Sequence, residues 1–323
     1  MSIIKPPSFK ELVKAHGSYK AAVLHLLQSG FTPEQIEWKF NVPYHLIRLY
    51  INGFEPTNGI PFSKITRLYD RLALLRSKKG KETELTKFFQ YPKLNFEVKV
   101  RLALGNITDE NLKIGHGTVE RAISMVTGKS LREVKKLFIE YGEYGEVAYL
   151  LKKPKEPELT VEEVYETIKL LPKINKIHER ELTISSLLRK ATPDESKYIV
   201  RLFLGDLKLG YHQRTVIRAV ARAYKVPVEL VQNACAILGI TEGLMLAPEG
   251  ILKLESVKLR PGQFIKPQLA HLYEPDKVVF PVRAEYKVDG SRLQIHKWGT
   301  KIWLYSRRGI EKSGTLPEIV EIA

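Results

Sequence analysis

Cysteine is nearly missing: Cys235 is the single one in 323 residues. One thiol excludes an internal disulfide and any cysteine-rich zinc site, and it suits a reducing cytosol. Cys235 sits in the helical run Val231–Leu238 and reads as a small core residue rather than a nucleophile. No apolar run reaches the ~18 residues of a membrane span. Met1–Pro7 lacks the apolar core of a signal peptide, so a cytoplasmic chain with no membrane partner is expected. Acids are scarce relative to bases: 36 Asp and Glu against 52 Lys and Arg, a formal charge of +16. A balance this basic points to a polyanion, nucleic acid first. A thermophile's charged surface produces the same composition, and the two readings are compatible. The length allows two or three domains, each with a sizeable core.

Residues 1–58 read as a helix-turn-helix module. Ala22, Val23, Leu26 and Leu27 recur at helical spacing, and Gly30 stops that helix. Thr32-Pro33-Glu34-Gln35 has the form of a capping box with proline at the first helical position. Asn41 makes the turn, and a second helix carries Leu46, Ile47 and Tyr50 before Gly53. This arrangement resembles the tri-helical DNA-binding motif, with Tyr44, His45, Arg48 and Asn52 as the exposed face. A small helical module that binds protein or only packs fits the same spacing. Glu55–Pro61 is a linker by composition.

Residues 59–250 read almost entirely as helix and contain an internal repeat. Val100-Arg101-Leu102-Ala103-Leu104-Gly105-Asn106 returns as Val200-Arg201-Leu202-Phe203-Leu204-Gly205-Asp206. Leu112-Lys113-Ile114-Gly115 returns as Leu207-Lys208-Leu209-Gly210, each time followed by a new helix. A glycine turn ahead of a helix N-terminus exposes backbone N–H groups whose partial positive charge suits a phosphate. Two such turns would hold two stretches of backbone without reading bases. Glycines that merely allow close helix packing are the competing reading. Lys113, Gly115, Lys208 and Gly210, with Lys197, Arg201, Arg214 and Arg218, are the phosphate-contact candidates, although lysines on such helices are commonly just solvated.

The chain is organised around Ala284-Glu285-Tyr286-Lys287-Val288-Asp289-Gly290-Ser291-Arg292. A strand is expected to begin at Phe280–Arg283. Alternation then predicts a half-buried strand over Ser291–Lys297, with Leu293 and Ile295 on one face and Arg292, Gln294 and His296 on the other, His296 outward and without a role. A tight turn leads to a second strand, Lys301–Ser306. Lys287 therefore falls where strand gives way to a glycine loop. From Arg283 to Lys312 there are eight Lys and Arg against three acids. Such a surplus lowers an amine's pKa toward nucleophilic use and favours bound phosphate. The bare Lys-x-Asp-Gly also fits a plain hairpin turn.

The longer pattern, Glu285 to Arg292 followed by Tyr305-Ser306-Arg307, resembles the adenylation motif of ATP-dependent DNA ligases. Phe264-Ile265-Lys266-Pro267-Gln268-Leu269-Ala270 resembles the approach to that motif in archaeal and eukaryotic-type members. Gly142–Ala148 and Leu187–Pro193 resemble landmarks of their helical DNA-binding domain, and the fit runs from about Pro61 to the C-terminus. The resemblance implies a mainly α chain: an N-terminal helix-turn-helix, an all-helical DNA-binding domain, then a short antiparallel β segment opening an α+β nucleotidyltransferase domain over 251–323. It implies ATP and Mg²⁺ as cofactors, nicked duplex DNA as partner, and Lys287 as the nucleophile. Glu285 would contact adenine, Arg292 the ribose or phosphate side, and Arg307 the nucleotide, while Asp289 and Gly290 shape the loop. The helix-turn-helix departs from the family pattern. The family's later motifs, including its metal-binding acid-Gly-Glu strand, lie beyond Glu318–Ile322, which reads as a helix just begun. An incomplete ATP pocket is therefore expected, completed by further sequence or by a second chain. A non-catalytic DNA-binding protein of ligase ancestry and an RNA ligase or capping-type nucleotidyltransferase are the competing readings, and the long helical domain argues against the last.

Overall fold

The structure, a computed structural model, describes residues 8–55, 59–265, 267, 278–279, 281–283, 285–286 and 289–323. Two compact units emerge, the first ending at His212 and the second running Gln213–Ala323.

The first unit opens with four short helices: α1 (Phe9–His16), α2 (Tyr19–Gln28), α3 (Pro33–Phe40) and α4 (Tyr44–Ile51). Each start follows local chemistry. Ser8 and Glu11 form a reciprocal capping box for α1, and Ser18 caps α2. Thr32 and Gln35 form the expected box at α3 with Pro33 inside it. Asn41, at φ 54°, turns the chain into α4, a conformation asparagine tolerates better than most residues. Leu12, Ala22, Val23, Leu26, Ile36, Val42, Ile47 and Tyr50 close a common core.

One face of α4 departs from the sequence expectation. Tyr44 and His45 are fully buried rather than exposed. Arg48 is ion-paired with Glu179 at 3.3 Å, and of the four expected surface residues only Asn52 lies open. The reason is that α4 packs on α11 (Val161–Leu170) and α12 (Ile177–Lys190). The helix is apolar on two sides, and both are covered.

Between them run α5 (Ser63–Leu74), α6 (Lys78–Gln90), α7 (Phe96–Leu104), α8 (His116–Thr127), α9 (Leu131–Tyr141) and α10 (Tyr144–Leu151), and α13 (Pro193–Leu204) follows α12. The segment after the linker is tied down by Phe62 N–H to Leu159 O and Val161 N–H to Ile60 O, each 2.8 Å. Tyr198 stacks obliquely on Tyr69 at 4.9 Å and donates to Asp70 at 2.7 Å. Helices α10 and α13 cross tightly at Gly145, where a Cβ would lie 3.0 Å from Lys197 O and the Arg201 stem.

The second unit begins with α14 (Gln213–Tyr224), α15 (Val228–Leu238), α16 (Ile240–Met245) and α17 (Ile251–Glu255). Cys235 is half-buried there, and burial followed by the charge of Glu242 raises its thiol pKa to about 12. That suits packing, not nucleophilic use. An antiparallel hairpin follows, β1 (Leu293–Trp298) and β2 (Lys301–Ser306), then α18 (Pro317–Ile322). The fold is thus mainly helical with a short β segment near its end. The strand expected at 280–283 has no pairing at its described residues; Pro281 has no N–H to give a ladder.

Candidate nucleic-acid interface and nucleotide pocket

The two copies of the repeat share the geometry of their helix-ending glycine and of their turn lysine. Gly105 and Gly205 end α7 and α13 at φ 70° with ψ 19° and 21°. Asn106 N–H and Asp206 N–H each donate 3.1 Å to Arg101 O and Arg201 O. Lys113 and Lys208 then take φ 54° and 55°, a left-handed conformation that costs a side-chain-bearing residue about 1–2 kcal/mol. Each is held there by an Asx turn: Lys113 N–H donates to Asn111 Oδ1 at 2.8 Å, and Lys208 N–H to Asp206 Oδ1 at 3.1 Å. In the second copy Asp206 serves both bonds. In the first, the insertion Ile107–Asn111 divides them between Asn106 and Asn111.

Burial alternates along both turns. Leu207 and Leu209 are buried while Lys208 and Gly210 are exposed; Leu112 and Ile114 are half-buried while Lys113 and Gly115 are exposed. Leu207 seats against Gly105, whose Cβ, if present, would lie 3.0 Å from it, and Tyr211 donates to Ala103 O at 2.7 Å. Gly115 caps α8 without any side-chain acceptor, and its own carbonyl takes the N–H groups of Thr118 and Val119 at 3.1 and 3.3 Å.

The other basic candidates divide. Arg214 and Arg218 are exposed, one helical turn apart on α14. Arg201, expected on a phosphate-facing surface, is instead 7% exposed. Its guanidinium is bidentate on Glu143, with Nε at 3.1 Å, and reaches Glu146 at 3.3 Å. Burial opposes its charge, but the hydrogen bond and charge of Glu143, with the charges of Tyr198 and Glu146, together outweigh burial and hold the proton more firmly. Lys197 is similarly occupied, 2.5 Å from Glu146 and over the rings of Tyr149 and Tyr198. A helix surface that looked solvated in sequence is the α10–α13 contact.

In the second unit, the hairpin register pairs Leu293 with Ser306, so Arg292 and Arg307 stand next to one another at its open end. Both line a cavity of about 380 Å³ with Phe264, Ile265, Pro267 and Gln294. Two guanidiniums, an aromatic ring and an amide suit the phosphates and base of a nucleotide. None of the described lining residues is a carboxylate. Glu285 is exposed and paired with Arg283 at 2.9 Å, away from this lining. Asp289 and Gly290 are exposed at the entrance to β1. Lys287, Lys266 and Gln268–Ala270 lie outside the described residues.

The β1 faces are reversed from the sequence expectation. Gln294 exchanges hydrogen bonds with Ile265, accepting at 3.0 Å and donating at 3.2 Å. His296, read as outward, is half-buried and accepts from Gly262 N–H at 3.2 Å. Ile295 is 50% exposed. The incoming segment 262–265 covers the polar face, and alternation alone does not say which face that segment will choose. Lys81, Arg180 and Asn111 have no role in the sequence expectation, and Phe264 enters it only as part of the segment approaching the motif; of the first three only the Asx residue two places before the turn lysine carries a local signal.

Comparisons with known proteins show the family. Residues 61–221 match the family described as DNA ligase N terminus, and residues 267–323 the ATP dependent DNA ligase domain. Among curated relatives, a DNA ligase of Nanoarchaeum equitans is 34% identical over 285 residues, 81% of this chain and 50% of that protein. DNA ligase 1 of Methanosarcina acetivorans is 32% identical over 281 residues, covering 81% and 48%. A DNA ligase of Staphylothermus marinus is 30% identical over 301 residues, covering 82% and 50%. The chain belongs to the ATP-dependent DNA ligase family, a family of enzymes, and spans about half the length of these relatives. No helix among its described residues is long and apolar enough to cross a membrane.

Proposed function

We propose that the chain is the DNA-gripping and nucleotide-accepting portion of a cytoplasmic ligase that seals nicks in duplex DNA. Its functional segments are 1–58, 59–250 and 251–323. The observation that carries the reading is the pair of turns: Lys113 and Lys208 are both exposed and left-handed behind an Asx bond, and Gly115 and Gly210 are both exposed, although Gly115 is extended (φ −108°) and Gly210 left-handed (φ +63°). Arg214 and Arg218 add exposed cations, and Arg201 braces the second turn through its Nη1, 3.4 Å from Leu207 O.

In the chemistry, Lys287 Nζ attacks the α-phosphorus of ATP and expels pyrophosphate, leaving AMP on the lysine. The AMP passes to the 5′-phosphate at the nick, and the 3′-hydroxyl then displaces AMP as the strand closes. Arg292 and Arg307 hold the nucleotide's phosphates and oppose the negative charge that builds on them in each displacement. Phe264 offers a face to the base, Glu285 contacts the adenine, and Asp289 and Gly290 shape the loop that carries Lys287. Mg²⁺ supplies further charge neutralisation when bound, with ligands other than the described pocket residues.

The test is self-adenylation with ATP labelled at the α-phosphate and Mg²⁺, beside Lys287→Ala. Label on the wild type alone supports catalytic charging by this chain. Absence of label, with nicked duplex still bound in preference to single-stranded RNA, supports a DNA-binding role without turnover. Equal affinity for both nucleic acids overturns the ligase reading.

A further inference from the structure

Each exposed turn is fastened from behind by a buried cation that belongs to neither copy of the repeat. In the second copy, Lys81 of α6 is 5% exposed and its Nζ donates to Leu209 O and, at 3.2 Å, to Gly210 O. In the first, Arg180 of α12 is also 5% exposed; Nη1 donates to Lys113 O at 3.1 Å, while Nη2 anchors to Ile174 O at 2.5 Å. The repeat's sequence similarity does not extend to these residues, one a lysine and one an arginine, from helices far apart in the chain. They nonetheless perform the same task at the equivalent turn.

The task has a physical purpose. A turn carries both N–H groups and carbonyl oxygens, and a phosphate is attracted by the first and repelled by the second. A cation behind the turn engages the carbonyls and leaves the N–H groups and the outward lysine for the anion. It also opposes the cost of the left-handed lysines, which the Asx bonds secure from the other side. Gly210 fits this reading closely: a Cβ there would lie 2.9 Å from Lys81 Nζ. The left-handed φ of +63° favours glycine at this position.

We infer that Lys81 and Arg180 are positioning residues for DNA-phosphate binding, setting the shape and polarity of the two turns without touching DNA. The inference rests on the reading that the turns bind phosphate, and the experiment separates the two. Affinity for a nicked duplex is measured by fluorescence anisotropy between 50 and 300 mM NaCl for wild type, Lys208→Ala, Lys113→Ala, Lys81→Met and Lys81→Met/Lys208→Ala. A residue that contacts phosphate contributes about 0.9 to the slope of log affinity against log salt. Lys208→Ala and Lys113→Ala are each expected to lower the slope by about that amount. Lys81→Met is expected to weaken binding roughly tenfold at fixed salt with its slope unchanged, and the added effect of Lys208→Ala in that background to shrink, because the two act through one turn. Hydrogen exchange should quicken in the peptide spanning 206–211 and not across α13. If Lys81→Met binds as wild type while Lys208→Ala loses slope, the positioning role is overturned and phosphate binding stands. If neither turn lysine changes the slope, the reading beneath it fails. Where Lys81→Met does not fold, Arg180→Met, which removes the donor to Lys113 O at the first turn, carries the same comparison against Lys113→Ala: weaker binding at unchanged slope supports the role, and wild-type binding overturns it.

Discussion

His45 Nε2 lies 2.7 Å from Glu163 Oε1, both side chains enclosed where α4 meets α11 and α12. The neutral ring donates from Nε2 to the carboxylate while Nδ1 takes the Ser186 hydroxyl at 3.0 Å. Lys190 completes the set, 2.8 and 2.9 Å from the two Glu163 oxygens. Burial holds the His45 pKa below its usual value even against the pull of Glu163. Burial would raise Glu163, but His45 and Lys190 outweigh it and hold its carboxyl below the ordinary range.

These directions set an acid sensitivity. A depressed histidine keeps its full stability contribution above the unfolded-state pKa, about 6.5. Below that value the unfolded chain takes up a proton the folded chain refuses, so stability falls by up to about 1.4 kcal/mol per pH unit. Depressed Glu163 adds a second loss, beginning below the unfolded-state value of about 4.3. Urea unfolding at pH 7.5 and 5.5 is expected to show a smaller pH difference in His45→Gln than in wild type. An equal difference in both would remove His45 as its source.

Removal of residues 1–58 is expected to lower the thermal midpoint of the remaining helical unit, because Tyr44, His45 and Ile47 are fully buried and α4 covers α11 and α12. Differential scanning calorimetry of the shortened chain checks this. An unchanged midpoint would make the module an independent attachment.

Arg201→Ala and Arg218→Ala should fail in opposite ways. Arg201 is buried on Glu143, and leaving that carboxylate without its partner costs about 3–5 kcal/mol. Arg218 is exposed, and its loss should leave the midpoint within about 0.5 kcal/mol of wild type while lowering the salt slope of DNA binding by about 0.9. Denaturant titration beside anisotropy distinguishes the two.

Lys99 is 4% exposed and donates to Phe89 O at 2.6 Å and Tyr91 O at 2.9 Å, closing the end of α6. Lys99→Met keeps the stem but strands both carbonyls, a loss of about 1–3 kcal/mol. Circular dichroism melting should register it as a lowered midpoint.

Gly309 sits at φ +80°, where a Cβ would press to 2.8 Å from the Phe264 ring that lines the nucleotide pocket. Gly309→Ala is expected to cost about 1–2 kcal/mol and to weaken ATP binding, as Arg307→Ala should by roughly tenfold. Titration with a fluorescent ATP analogue measures both. Wild-type affinity in Arg307→Ala would remove that arginine from the pocket's function.

The sequence by itself determined the features that depend on neighbours along the chain. Thr32 and Gln35 specify the start of α3, Asn41 its turn, and Lys297–Thr300 the hairpin, since caps and turns are satisfied within a few residues. The repeat was legible because Leu-Lys-x-Gly recurs beside the same glycine-ended helix. The spacing of Arg292 and Arg307 about a hairpin already implied their proximity once a register existed. Tertiary structure alone decided which faces were covered. Tyr44 and His45 read as surface because α4 has two apolar sides, and only docking on α11 and α12 chose between them. Arg201 and Arg218 are identical in type and lie on similar basic helices, yet Glu143 claims one and water the other. Lys81 and Arg180 have no local signature, because a carbonyl bound from 128 or 67 residues away leaves no mark on the sequence around either partner.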